Sequence, residues 1–436
     1  MLVFNSTLGY RREVNSTYGP EGRATLAKCA ANAWKVQIVA PRCPGCRGVR
    51  QVSYSFTFQQ QSLQNGTGLA TPFQNAYYCC RLCFAHALFR RGILLHGRGS
   101  LHPESTMNDF QSGSVRTARS KAPVFVIGCS RSGTTLLYHM LLSSGNFAVY
   151  RTESFIFTLL EPRFRPLSKP RNKRRMLDAW YNTRLYTKSG LEPSEIEPRI
   201  MAECQNGGDF LRIIMEEMCR KQGVERWAET TPEHLLYISR IKETIPDALI
   251  VHVIRDGRDV ALSWEKLSQI RRLPWDRQRA AMAAGIYWEW IVGKGREAGR
   301  RLGEDYVEVH YEDLVRKPAE VLRNLEPFIE HDLDYERITR VGIGSVSARN
   351  TAFKDDQRSP IGRWKNALSQ AEVATLECLV GGTMQELGYE LSTKASSRFD
   401  LTAMRAAYRM YFDSKQFLKT RTPAGKLFVT RDLSWV

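Results

Sequence analysis

The chain has 436 residues, of which 43% are apolar, 25% charged and 10% aromatic; that composition can bury a core and excludes global disorder. It carries 63 Lys/Arg against 45 Asp/Glu, a net charge of +18, which points to an anionic partner: nucleic acid, a membrane surface or an anionic small molecule. No apolar run reaches the roughly 18–20 residues that a membrane span needs; the best candidate, 77–95, is interrupted by Arg81, Arg90 and Arg91.

The first segment is unlike the rest. Residues 1–122 hold 15 Lys/Arg and only 4 Asp/Glu, whereas residues 123–436 hold 48 and 41. Neither a helical nor a strand period is sustained there, and runs such as Gln59-Gln60-Gln61 and Arg98-Gly99-Ser100 are polar. Residues 1–121 are therefore expected to be a basic, largely irregular extension, ending in a polar linker over 105–121. It lacks the basic, then apolar, then small-residue order of a secretory signal. The pairs Cys43-Pro44-Gly45-Cys46 and Cys80-Arg81-Leu82-Cys83 have a zinc-ribbon-like spacing, but the 33 residues between them are more than such sites use. No metal site is expected. The sequons at Asn5, Asn15 and Asn65 are read as chance.

From Ala122 the texture changes. Pro123-Val124-Phe125-Val126-Ile127-Gly128 reads as a buried parallel strand, followed by a Gly/Ser/Thr turn and a helix over 134–143. A short strand at 147–150 is expected to return the chain to the turn. Residues 248–254 form a second apolar strand, leading through Arg255-Asp256-Gly257-Arg258 into a helix from about Asp259; a long helix covers 279–298. Tyr306-Val307-Glu308-Val309-His310 is a third strand, followed by a helix over 319–329, and a basic helix at about 402–418 comes last. Strands alternating with helices predict an α/β fold, a central parallel sheet flanked by helices on both faces. The domain is expected over 122–391, with 392–436 as a basic helical tail. Four scattered cysteines in this part, Cys129, Cys204, Cys219 and Cys378, suit reduced thiols and a cytoplasmic location.

Gly128-Cys129-Ser130-Arg131-Ser132-Gly133-Thr134-Thr135 has the spacing of a phosphate-binding P-loop between strand and helix. Main-chain N–H groups at a helix start attract anions, and glycine lets the backbone approach them. A nucleotide-triphosphate P-loop places Lys after the second Gly. Here that residue is Thr134, and the positive charge sits at Arg131. The loop suits a phosphate-like anion but is poorly equipped for Mg²⁺-assisted phosphoryl transfer, so a small-molecule kinase is the weaker reading. Binding of an anionic polymer by the basic extension is a third; nucleic acid is not expected.

These residues resemble the sulfotransferase superfamily. The loop Arg131-Ser132-Gly133-Thr134-Thr135-Leu136 is similar to its 5′-phosphosulfate loop, in the Arg-bearing form of the tyrosylprotein-sulfotransferase-like and bacterial branch. Further matches follow in order: Arg151-Thr152-Glu153-Ser154, Glu229-Thr230-Thr231-Pro232-Glu233-His234, Val253 through Ser263, Val309-His310-Tyr311-Glu312-Asp313-Leu314 and Gly362-Arg363-Trp364-Lys365-Asn366. The resemblance implies a P-loop-type three-layer fold and 3′-phosphoadenylyl sulfate as co-substrate, with no metal required. It implies Arg131, Ser132, Gly133, Thr134 and Thr135 at the 5′-phosphosulfate, and Arg255 and Ser263 at the 3′-phosphate. Tyr311 would meet the adenine, and Arg358 and Arg363 would cap the 3′-phosphate. Arg131 would also stabilise the transferring group. Glu153 corresponds, within a one-residue gap, to the catalytic glutamate of that branch. Taken alone, 255–259 would read as a capped helix start, Glu153 as a helix cap and Tyr311 as a core residue. Where the family often has Lys, this chain has Thr230. The hydroxyl acceptor and the oligomeric state are not readable.

Overall fold

In the computed structural model, residues 24–29, 33–38, 52–57, 118–268, 270–347, 359–393 and 398–422 are described. The chain divides after Asp109 into two units. In the first, β1 (Ala24–Cys29), β2 (Ala33–Ile38) and β3 (Val52–Thr57) pair as an antiparallel meander, with Ala24 opposite Ile38 and Ala33 opposite Thr57. The reading of 1–121 as largely irregular did not single out these three strands. Val52–Thr57 alternates apolar and polar residues, but a six-residue signal is short against its polar surroundings. The paired cysteines Cys43, Cys46, Cys80 and Cys83 lie outside the described residues.

In the second unit β4 (Val124–Gly128), β5 (Ala228–Glu229), β6 (Leu249–Ile254) and β7 (Tyr306–His310) form a parallel sheet in the order β5-β4-β6-β7. Every residue of β4 and β6 is buried, as a sheet covered on both faces requires. Phe125, Ile127, Ile250 and Ile254 face one core; Val124, Val126, Val251 and Val253 face the other. The parallel sheet and its two helical layers agree with the α/β expectation.

The helices that matter for the site are α1 (Thr134–Ser143), α2 (Gly257–Lys266), α3 (Ala280–Gly299), α4 (Pro318–Ile329), α5 (Gln370–Glu386) and α6 (Phe399–Arg421). Asp256 caps α2, its carboxylate accepting from the Arg258 N–H at 2.8 Å. One expected element is absent: 147–150 forms no strand, and only Phe147 makes an isolated parallel bridge, to Arg226.

Residues on either side of the expected 122–391 domain pack against it. The end of the linker is a turn, Arg119–Lys121, held to the domain. The guanidinium of Arg226, itself fully buried, donates to the carbonyls of Arg119 (2.7 Å), Ala122 (2.8 Å) and Ile329 (2.7 Å). Arg119 donates in turn to Phe328 and Asp305. At the other end α6 is a packed helix. It buries Leu401, Met404, Tyr408 and Phe412, spaced three or four residues apart along one face, and Tyr408 donates to Asp276 at 2.6 Å.

Candidate active site

β4, β6 and β7 are neighbours, so the loops that leave their C-terminal ends are neighbours too, the usual ligand position in an open parallel sheet. Register sets the height: Gly128 pairs with Val253, and Ile254 with His310. The phosphate-like loop, the Arg255 turn and Tyr311 therefore emerge at one level.

The loop backbone is bent as its glycines allow. Gly133 has φ +92°, and a Cβ there would lie 2.2 Å from the Tyr311 ring, so only glycine fits. Arg131 also has positive φ, 77°, a conformation costly for a non-glycine residue and common at ligand sites. The loop is braced from outside: the Trp264 indole on α2 donates to the Ser130 carbonyl at 2.9 Å. Ser132 is completely buried, yet its hydroxyl has no hydrogen-bond partner among the described residues. Thr134 is buried and Thr135 exposed at the start of α1.

Three arginines converge here. Arg131 Nε donates to Ser263 Oγ at 3.0 Å, which joins the first loop to α2. Arg255 sends Nη1 to the Arg131 carbonyl (2.9 Å) and Nη2 to the Pro360 carbonyl (2.5 Å); its buried Nε has no partner among the described residues. Its guanidinium carbon lies 4.5 Å from the Tyr311 ring centroid. Burial, followed by the charge of Arg255, holds both Arg131 and Arg363 below the ordinary arginine value. Repulsion among guanidinium groups in a sheltered place is relieved by an anion.

Sequence reasoning missed the braces around this cluster. Asp259, buried and with its carboxyl raised by desolvation, accepts from the N–H groups of Gly362 (2.8 Å) and Trp364 (3.1 Å). It ties the late Arg363 segment to α2. Trp288 on α3 donates to the Arg255 carbonyl at 3.1 Å. His139 on α1 accepts from the Ser345 N–H at 2.9 Å and holds the segment before the late loop. These contacts join residues far apart in sequence, and no local spacing announces them. Tyr311 is only 8% exposed and its ring lies against Gly133 and Arg255, where it walls the loop. Arg358 falls outside the described residues.

Glu153 is half-buried and close enough to Arg131 for its charge to favour the protonated guanidinium. The structure thus brings together Glu153, Arg131, Arg255, Ser263, Tyr311 and Arg363. Thr230 does not stand in for a lysine: its hydroxyl donates to the Val126 carbonyl at 3.1 Å. Cys129, inside the loop, is fully buried and its thiol is pushed far above the ordinary value by burial, so it is not a reactive thiolate. Among the described residues no cluster of three or more His, Cys, Asp or Glu could hold a metal ion, and no helix is long and apolar enough to cross a membrane.

Residues 123–335, which contain both loops, Glu153 and β7, match the family model described as the sulfotransferase family. That segment, just under half of the chain, is similar to the sulfotransferase family and points to a transferase of sulfuryl groups. Similar solved structures include the sulfotransferase domain of the Synechococcus PCC 7002 olefin synthase, at 16% identity over 66% of this chain and 94% of that one, with a TM-score of 0.38. A Mycobacterium avium sulfotransferase is 17% identical over 63% of this chain and 78% of its own, with a TM-score of 0.36. A mouse sulfotransferase complexed with PAP is 13% identical over 66% and 89%, with a TM-score of 0.30.

Proposed function

We propose that the enzyme moves the sulfuryl group of 3′-phosphoadenylyl sulfate to a hydroxyl-bearing acceptor by in-line displacement, with Glu153 as general base. The observation that supports this reading is that the half-buried Glu153 is near enough for its charge to act on Arg131, which is crowded by Arg255, as is Arg363. The buried, unpartnered Ser132 hydroxyl and Arg255 Nε fit a donor bearing separated anionic groups, each able to donate a hydrogen bond to it.

In this mechanism the acceptor oxygen attacks sulfur as its proton passes to the Glu153 carboxylate. The bond from sulfur to the 5′-phosphate oxygen breaks, and that oxygen keeps the electron pair. Arg131 and the main-chain N–H groups of 133–135 stabilise the charge gathering there, a contribution of about 10²–10³ in rate for one preorganised donor. Ser263 orients Arg131 through the 3.0 Å bond to Nε. Arg255 and Arg363 face the 3′-phosphate, and Tyr311 keeps Arg255 in place. The four free thiols of this unit support a reducing compartment such as the cytoplasm.

Glu153→Gln tests the assignment. Turnover should fall about 10²–10⁴-fold, the contribution of a positioned base. Affinity for 3′,5′-diphosphoadenosine, read by calorimetry, should stay within about threefold, well under 1.4 kcal/mol. A variant with undiminished turnover would remove Glu153 from the mechanism.

A further inference from the structure

Glu153 belongs to no regular element; it precedes a residue of left-handed backbone, Phe155 at φ 51°, and a single wide helical turn, Ile156–Leu160. A base on such a segment needs external support to keep its carboxylate at one place. The support comes from a stretch more than 70 residues away in sequence.

Thr231 Oγ1 accepts from the Ser154 N–H at 3.0 Å and from the Phe155 N–H at 3.3 Å. His234 Nε2 accepts from the Phe157 N–H at 3.4 Å. Three amides immediately after the base thus end on two side chains of 231–234. Both side chains end in turn on one carboxylate, Glu229, which is 2% exposed. Its Oε1 accepts from the Ser154 hydroxyl at 2.7 Å and from the Thr231 hydroxyl; its Oε2 accepts from the Thr231 N–H at 3.1 Å and from His234 Nδ1 at 3.0 Å. Since Nε2 accepts, Nδ1 carries the ring proton, and the imidazole donates to Glu229 as a neutral ring. Burial raises the Glu229 carboxyl, and the hydrogen bonds donated by His234, Thr231 and Ser154 pull it the other way.

We propose that Glu229, Thr231 and His234 are positioning residues for the reaction: an anchored carboxylate orients a hydroxyl and an imidazole, and these hold the 154–157 main chain so that Glu153 faces the acceptor. The inference rests on Glu153 being the base. None of the three touches the reacting atoms. His234 is completely buried with both ring nitrogens engaged, so it cannot itself be a substitute base. Thr231 is the pivotal member, because its single oxygen accepts two consecutive amides while its proton goes to Glu229. Such a hydroxyl has no apolar replacement, but serine preserves it.

The experiment compares Thr231→Val, Thr231→Ser, Glu153→Gln and the Val/Gln double variant in the full chain, with two readouts. The first is amide hydrogen exchange. Thr231→Val should speed exchange at Ser154, Phe155 and Phe157 by at least tenfold, leave β4 and β6 protected and leave 3′,5′-diphosphoadenosine binding within threefold; Thr231→Ser should restore protection. Unchanged exchange at those amides, or acceleration spread equally over the sheet, overturns the proposal. The second readout is release of sulfate from 3′-phosphoadenylyl sulfate with water as acceptor, a probe that needs no identified acceptor. Thr231→Val should slow it in the wild-type background and not at all in the Glu153→Gln background, because the hydroxyl acts only through the base. Additive losses would mean that Thr231 acts elsewhere, with the base assignment untouched; normal release by Glu153→Gln would instead sink the base assignment while the exchange result still judges the anchoring network.

Discussion

At the scale of single residues, the site is a collection of groups with no good alternative to their observed state. Arg255 sends two N–H groups to main-chain carbonyls of two different loops and keeps Nε buried without a partner. Arg255→Ala should therefore weaken 3′,5′-diphosphoadenosine binding by at least tenfold, about 1.4 kcal/mol. Adenosine 5′-phosphosulfate, which lacks the 3′-phosphate, should bind nearly as before; competition titration with the two ligands measures the difference. If the preference for the 3′-phosphorylated ligand survives, the Arg255 turn contacts some other part of the donor. Gly133 offers a second test. An alanine there would place Cβ 2.2 Å from the Tyr311 ring on backbone of φ +92°, so Gly133→Ala should distort the loop. Donor binding should be lost well before thermal stability falls.

Among the elements, β6 carries a polar group in the middle of the sheet. His252 is fully buried; its Nδ1 lies 2.7 Å from the Tyr306 hydroxyl, which itself donates to Glu308. The ring therefore donates from Nδ1, and Nε2 has no partner among the described residues. Burial pulls its pKa down to about 3. In the unfolded chain the same histidine titrates near 6.5. Below that pH the unfolded state binds a proton that the native state refuses, so stability is full above about 6.5 and falls as pH drops toward 3. The slope from this one group is about 1.4 kcal/mol per pH unit. His252→Asn keeps a donor toward Tyr306 but cannot titrate. Its urea-unfolding free energy should fall less steeply between pH 6.5 and 4 than that of the wild type; parallel curves would place the acid sensitivity in other groups.

For the whole molecule the question is where the catalytic unit begins. Residues from Phe110 onward form one unit, and the three carbonyls bound by Arg226 make 119–122 part of its packing. Burial pulls the Arg226 guanidinium down to about 10, which leaves it charged at neutral pH. Hydrogen bonds from a charged donor contribute about 1.5–3 kcal/mol each. Arg226→Met should thus lower unfolding free energy by at least about 3 kcal/mol without changing donor affinity of the folded protein. A chain starting at residue 110 should bind 3′,5′-diphosphoadenosine like the full chain. One starting at 123 should melt markedly lower, because it lacks the Arg119 and Ala122 carbonyls. Equal melting temperatures for the two truncations would show that the turn adds nothing.

The periodic elements were legible from local sequence alone. Apolar runs such as Val124–Gly128 and Leu249–Ile254 bury on both faces, and glycine at 128 and 133 marks a turn that other residues cannot make. Alternation of strand and helix then implies parallel pairing, and that places successive loops at one edge. Spacing singled out the Arg131 loop, whereas Glu153, Arg255 and Ser263 came from the resemblance to the sulfotransferase superfamily. The strand expected at 147–150 is absent because parallel pairing depends on a partner, and only Phe147 finds one. The bonds that orient the site were not legible either. Trp264 on Ser130, Asp259 on the late loop and Glu229 on the segment after the base are single contacts across roughly 75 to 134 residues. Their existence depends on which side chains the sheet order brings within 3 Å, and that is decided only when the chain has packed.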